Sequence, residues 1–253
     1  MKTSKIRAFI KNNPALANFL RKIYSTPLPW VYRYFYFRLR PSNQSFAANE
    51  EDLVASQLLG EVKTFIDIGA NDGYNASNTF YFAIRGAQGF LFEPVRQAYL
   101  RLFWLYSFNK SCKCRQVAIS NHSGQSEIVK NAELSFISET EDRKHSELFE
   151  NHSRVTETIT CSRLDEEART LGIPNQVDLM SIDVEGHELA VLESINFSER
   201  TFRLLVIETH LLRDGKKVWV HKDLSRINEL LATFGYYPIY ENADNTFYAP
   251  MEE

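Results

Sequence analysis

The chain has 253 residues, of which 44% are hydrophobic and 13% aromatic, enough for one large domain with a full core. No apolar run approaches the ~18 residues that would cross a bilayer as a helix, which excludes a transmembrane helix. The formal net charge of −3 conceals an asymmetry: residues 1–49 hold nine Lys or Arg and no Asp or Glu, leaving 20 basic and 32 acidic residues in the remainder.

Such a split predicts that the N-terminal segment meets something anionic, either an outside surface or the chain's own acidic domain. Residues 3–24 read as two short helices divided at Asn13-Pro14, with Ile6, Phe9, Ile10 and then Leu16, Phe19, Leu20, Ile23 at helical spacing. The run Trp30 to Arg38 is dense in aromatics and Arg. It would lie in a membrane interface, or pack on the core or a second copy; packing is favoured, because the run lacks a clean polar face. Pro41 to Asn49 is a linker, and Glu50 to Gly60 a helix ended by glycine. Residues 1–45 are therefore expected to form a basic, aromatic-rich helical segment ahead of a domain over residues 46–253.

That domain opens on Thr64 to Gly73. Phe65-Ile66-Asp67-Ile68 reads as a buried parallel strand, and Gly69, Ala70, Asn71, Asp72 and Gly73 follow as a turn whose small residues let backbone N–H groups approach a ligand. A helix from Asn75 to Arg85 leads to a second strand, Gly89 to Phe92. It ends in Glu93, placed to accept hydrogen bonds from ribose hydroxyls. Gln97 to Asn109 is a helix whose stripe Leu100, Phe103, Trp104, Phe108 would face the core. Cys114 to Ser120 is a third strand. Cys112 and Cys114 share a face as small apolar groups rather than zinc ligands.

Residues 125–160 break the alternation. Glu127 to Val129, Leu134 to Ile137 and Val155 to Thr160 read as short antiparallel strands around a charged stretch, Glu139 to Ser153, so this insertion is expected to be a β-rich lid. A helix over Leu164 to Leu171 precedes a fourth strand, Val177 to Asp183, which runs into Val184-Glu185-Gly186-His187-Glu188 and a helix to Ile195. A fifth strand, Arg203 to Ile207, ends in Glu208-Thr209-His210. A helix from His221 to Phe234, with Leu224, Ile227, Leu230 and Leu231 on one face, and a hairpin of Tyr236 to Tyr240 with Thr246 to Ala249 complete the chain.

In an open α/β sheet, ligands sit at the carboxyl ends of the strands. Strand one ends in the glycine turn, strand two in Glu93, strand four in Asp183 and Glu185, and strand five in Glu208 and His210. Each has a bland reading alone; Asp183 could cap a helix. Their convergence points to a nucleoside cofactor. A nicotinamide cofactor fits poorly, since Asp72 would face its pyrophosphate where a dehydrogenase has G-x-G-x-x-G. A non-catalytic binding module of the same fold is the other alternative.

The ordered motifs D-I-G-A-N-D-G, F-E-P, I-D-V-E-G-H-E-L-A-V-L and V-I-E-T-H, spread over roughly residues 50–215, resemble the FkbM-type methyltransferases. Ser181 departs from the pattern, which commonly has Lys there. The resemblance implies a class I methyltransferase fold, a Rossmann-like doubly wound, mostly parallel sheet with a C-terminal antiparallel hairpin. It implies S-adenosylmethionine as cofactor and O-methylation of a sugar or glycan hydroxyl. Asp67, Gly69, Ala70, Asn71 and Gly73 would line the methionine and ribose, Glu93 would hold the ribose, and Ser120 would lie near the adenine. Asp183, Glu185, Glu208 and His210 would face the methyl group and the acceptor.

An alcohol needs a base or a metal to become a nucleophile. Either His210 is the base, or Asp183 and Glu208 hold a divalent cation; the base is ranked ahead, with no resident metal expected. Three cysteines without CxxC spacing and an N-terminus without a signal-peptide pattern predict a cytoplasmic protein, with residues 1–40 as a peripheral membrane contact or a self-association surface. No nucleic-acid partner is expected.

Overall fold

The computed structural model describes residues 22–131, 134–137, 155–213 and 216–251. Most of the predicted helical pair at 3–24, and the charged stretch 139–153, lie outside the described residues. A seven-stranded sheet forms the centre. Its parallel part runs β3 (Cys112–Arg115), β2 (Gln88–Phe92), β1 (Thr64–Ile68), β8 (Gln176–Ile182) and β9 (Thr201–Glu208). β13 (Asn245–Pro250) then pairs antiparallel with β9, and β12 (Tyr236–Glu241) antiparallel with β13. Strand order reverses between β1 and β8, which opens a crevice at their carboxyl ends.

Alternation along the buried strands builds two cores. Ile66, Ile68, Phe90, Phe92, Met180 and Ile182 face one side, covered by α5 (Leu164–Leu171), α6 (Glu188–Leu192) and α7 (Leu224–Thr233). Phe65, Leu91, Leu179, Leu204 and Val206 face the other. They are covered by α1 (Leu28–Leu39), α2 (Glu51–Leu59), α3 (Phe80–Ala83) and α4 (Arg96–Tyr106). The odd positions Asp67, Ser181 and, one strand over, Glu93 continue this second face past the apolar run, so polar groups emerge where the sheet ends.

α1 packs on the core through Trp30 and Tyr34, which are 3% and 6% exposed. Arg38 donates to the carbonyl of Ile84. The packing expectation for this run holds on that face. β4 (Ala118–Ile119), β5 (Gly124–Asn131), β6 (Leu134–Ile137) and β7 (Val155–Ser162) form a separate four-stranded sheet. The expected insertion is therefore a sheet of its own, and it takes Ala118 and Ile119 out of the predicted third strand.

Two further expectations are corrected, and one hairpin is added. The helix expected from Asn75 to Arg85 is helical only over Phe80–Ala83, because Asp72, Ser77 and the positive φ of Ala76 shape the preceding turn. The core face of α4 is Leu102, Leu105 and Tyr106. Phe103 and Phe108 from the predicted stripe are 48% and 67% exposed. Between strand five and α7 the chain forms an unforeseen hairpin, β10 (His210–Arg213) with β11 (Lys216–Val220).

Candidate active site

A cleft of about 640 Å³ opens at the carboxyl ends of β1, β2 and β8. Its floor is backbone. Gly69 and Ala70 donate to the carbonyl of Phe92 at 3.0 and 3.1 Å, while Asp183 donates to Ile68 at 3.0 Å. Gly69 has φ +83, and a Cβ there would lie 1.8 Å from the carbonyl oxygen of Asp183. Only glycine allows this approach. Gly73 does other work: a Cβ on it would meet Leu102 at 2.5 Å, so it serves the packing of α4 and does not line the cleft.

Two buried carboxylates face this space. Asp67 accepts a 2.6 Å hydrogen bond from the Thr79 hydroxyl, and burial pushes it up to about 6 against that bond. Burial pushes Glu93 up to about 7; N–H bonds from Val95 (2.7 Å) and Asn71 (2.9 Å) offset this only in part. Carboxylates held at this desolvation cost, with no ion pair to either among the described residues, suit a ligand that brings an ammonium and hydroxyl donors. S-adenosylmethionine carries both, and so the residues fit it. Asp72 turns its carboxylate onto the N–H groups of Tyr74 and Asn75, so its charge is spent on the turn.

The other wall is the loop after β8. Asp183, Val184, Glu185 and His187 all line the cleft. Glu185 has φ +56, a conformation unusual for a side-chain-bearing residue. Glu188 holds the loop by accepting from the N–H groups of Val184 and Gly186 at 3.1 and 3.2 Å. Its other oxygen meets His221 Nε2 at 2.7 Å, both side chains fully buried. Burial would raise Glu188; the His221 contact and the backbone N–H bonds together outweigh it and hold the carboxyl below its usual range.

His187 is 6% exposed, and its Nε2 lies 3.0 Å from Ser120 Oγ, which in turn lies 3.2 Å from His122 Nδ1. The Ser120 hydroxyl is fully buried behind the cleft wall between two imidazoles. Its neighbours Ala118 and Ile119 are the residues that reach the cleft.

The cleft thus unites Asp67, Gly69, Ala70, Asn71, Glu93, Asp183 and Glu185. It does not include Glu208 or His210. His210 is 1% exposed, with Nδ1 2.9 Å from the Thr209 hydroxyl and Nε2 2.9 Å from the carbonyl of Asn242. Nε2 ties β10 to the loop of the terminal hairpin and Nδ1 meets the neighbouring Thr209, so both ring nitrogens are engaged away from the cleft. Among the described residues no group of three or more His, Cys, Asp or Glu is arranged to hold a metal ion. Sequence reasoning passed over His187, although it stands inside the quoted I-D-V-E-G-H-E run. It also missed Asn78, which donates to Ser181 Oγ at 3.1 Å on the cleft wall. Period-two alternation along β8 puts Ser181 on the cleft side, but its partner Asn78 is 103 residues away and had no local signal.

This strand order, the glycine turn and the acidic end of β2 define a class I S-adenosylmethionine-dependent methyltransferase. The methyltransferase FkbM domain model matches residues 67–238, from the carboxylate of β1 into β12. The chain belongs to that family, whose cofactor is S-adenosylmethionine.

Among solved structures, it is similar to methyltransferase FkbM from Methylobacillus flagellatus KT (14% identity, TM-score 0.45, covering 74% of this chain and 43% of that one). The chain thus spans under half of that protein's length. It is also similar to precorrin-6y C5,15-methyltransferase from Geobacter metallireducens GS-15 (12%, TM-score 0.43, 82% and 93%). A third is the N-terminal domain of EvdMO1 with S-adenosylhomocysteine bound (11%, TM-score 0.43, 81% and 83%). Among curated proteins none matches the sequence.

Proposed function

We propose that the enzyme O-methylates a hydroxyl of a sugar or glycan. The observation that carries this reading is the polar, uncharged part of the cleft lining, to which Asn71, Asn75, Asn78 and Ser181 all contribute. Amides and hydroxyls both donate and accept, which matches a hydroxyl-rich, uncharged acceptor. S-adenosylmethionine supplies the methyl group on a sulfonium, so the protein must align the acceptor and take its proton. Asp183 and Glu185 orient the acceptor. His187 takes the proton in place of His210, and the hydroxyl of Ser120 leads it towards His122. The inserted sheet lends Ile128 to the cleft and acts as the lid. Three cysteines without C-x-x-C spacing support work in the cytoplasm.

The test is transfer of labelled methyl from S-adenosylmethionine to a fractionated extract of neutral glycans. The label should enter an alkali-stable ether. His187→Gln should lower the rate by about 10²–10⁴-fold, while His210→Gln leaves it near wild type. Label in an alkali-labile ester would refute the hydroxyl acceptor, and an unaffected His187→Gln enzyme would refute the base.

A further inference from the structure

α1 is apolar on two faces. Trp30 and Tyr34 enter the core, yet Leu28, Tyr32, Phe35 and Leu39 form a second stripe at i, i+4, i+7 and i+11. They are 75%, 65%, 41% and 77% exposed. Phe108, 67% exposed, extends the patch with its ring 6.0 Å from Phe35. Tyr36 adds a 39% exposed ring, with the Arg40 guanidinium 4.8 Å from its centroid. Large apolar groups gathered this way mark an interaction surface.

We propose that this outer face of α1 docks on an anionic lipid bilayer. The charges around it select that occupant. Lys22 and Arg40 are exposed on the same segment, and residues 1–49 contain no Asp or Glu. A second copy packed face to face would set these cations against their own images with no carboxylate from the segment between them. Anionic headgroups pair with all of them. Tyr32 and Tyr36 carry an apolar ring with a polar tip, which suits the headgroup layer, while Leu28 and Leu39 reach below it.

The helix that carries this surface also touches the turn beside the cleft. Arg33 lies 4.0 Å from the centroid of the Tyr74 ring, and the Tyr74 N–H donates to the Asp72 carboxylate at 3.0 Å in the cleft wall. A docked α1 therefore holds the cleft in a fixed relation to the bilayer. The docking stands whatever the acceptor is.

The experiment is co-sedimentation of the full chain with vesicles of phosphatidylcholine mixed with phosphatidylglycerol, and with phosphatidylcholine alone. The protein should sediment with the anionic vesicles and be released as salt rises. The triple variant Leu28→Ser/Tyr32→Ser/Leu39→Ser should lose about tenfold in vesicle affinity. Its melting temperature should stay at the wild-type value, since all three side chains are at least 65% exposed. Lys22→Gln/Arg40→Gln should weaken binding to the anionic vesicles alone. Failure of the wild type to sediment, or a triple variant that binds as well as wild type, would overturn the proposal. So would a concentration-dependent dimer that the triple variant abolishes, which would assign the stripe to a second copy.

Discussion

Replacing Asp67 with Asn separates the stability of the fold from the needs of the cleft. The Asp67 carboxylate is 6% exposed, and burial lifts it from an ordinary value of 3.8 to about 6. Keeping it ionised therefore costs the folded protein about 3 kcal/mol at pH 8. The sign follows from the direction. A carboxyl raised on folding is harmless below its unfolded value, and the folded protein loses stability as pH rises from about 4 through about 6. Asn keeps an oxygen to accept the Thr79 hydroxyl and carries no charge to desolvate. Asp67→Asn should thus be more stable than wild type by about 3 kcal/mol at pH 8, by about half that at pH 5, and equal to it near pH 3.5. Urea unfolding across that range reads the difference directly. S-adenosylhomocysteine should stabilise wild type against urea and leave the variant unchanged. A difference that stays flat with pH, or a variant less stable than wild type at pH 8, would refute the reasoning.

Glu93→Gln should weaken S-adenosylhomocysteine binding by about 1–3 kcal/mol in calorimetry. Wild-type affinity should also fall as pH drops through about 7, where Glu93 gains its proton. Gly69→Ala drives a methyl group against the Asp183 carbonyl; it should cost roughly 2–4 kcal/mol of stability and abolish cofactor binding, read by melting with and without ligand. His221→Ala leaves Glu188 buried without its partner and should cost about 3–5 kcal/mol at neutral pH. Because Glu188 is depressed, that loss should shrink as pH falls below the ordinary carboxylate range, measured by urea titration.

The parallel strands were legible because both faces of the sheet are buried, so Phe65 to Ile68 and Val177 to Ile182 read as apolar runs of strand length. The cofactor end was legible because Asp67, Gly69 and Glu93 are local: each sits at a strand end that its own run announces. His210 misled for the same reason in reverse. It follows β9 in sequence, but the unforeseen β10–β11 hairpin carries the chain on and buries its ring against Asn242. Only the tertiary pairing decides that. His187 was hidden because its partner Ser120 is 67 residues away. The α4 stripe failed because several aromatic positions offered rival helical faces, and contact with α1 and Gly73 chose Leu102, Leu105 and Tyr106.

We propose that the cleft between β1, β2 and β8 takes S-adenosylmethionine through Asp67 and Glu93. Calorimetry with S-adenosylhomocysteine near pH 6.5, in buffers of different ionisation enthalpy, tests it most directly. One site should fill, with protons released as the two raised carboxyls ionise against the ligand, and NAD should give no heat. Binding without proton release, unchanged affinity in Asp67→Asn and Glu93→Gln, or equal binding of NAD would contradict it.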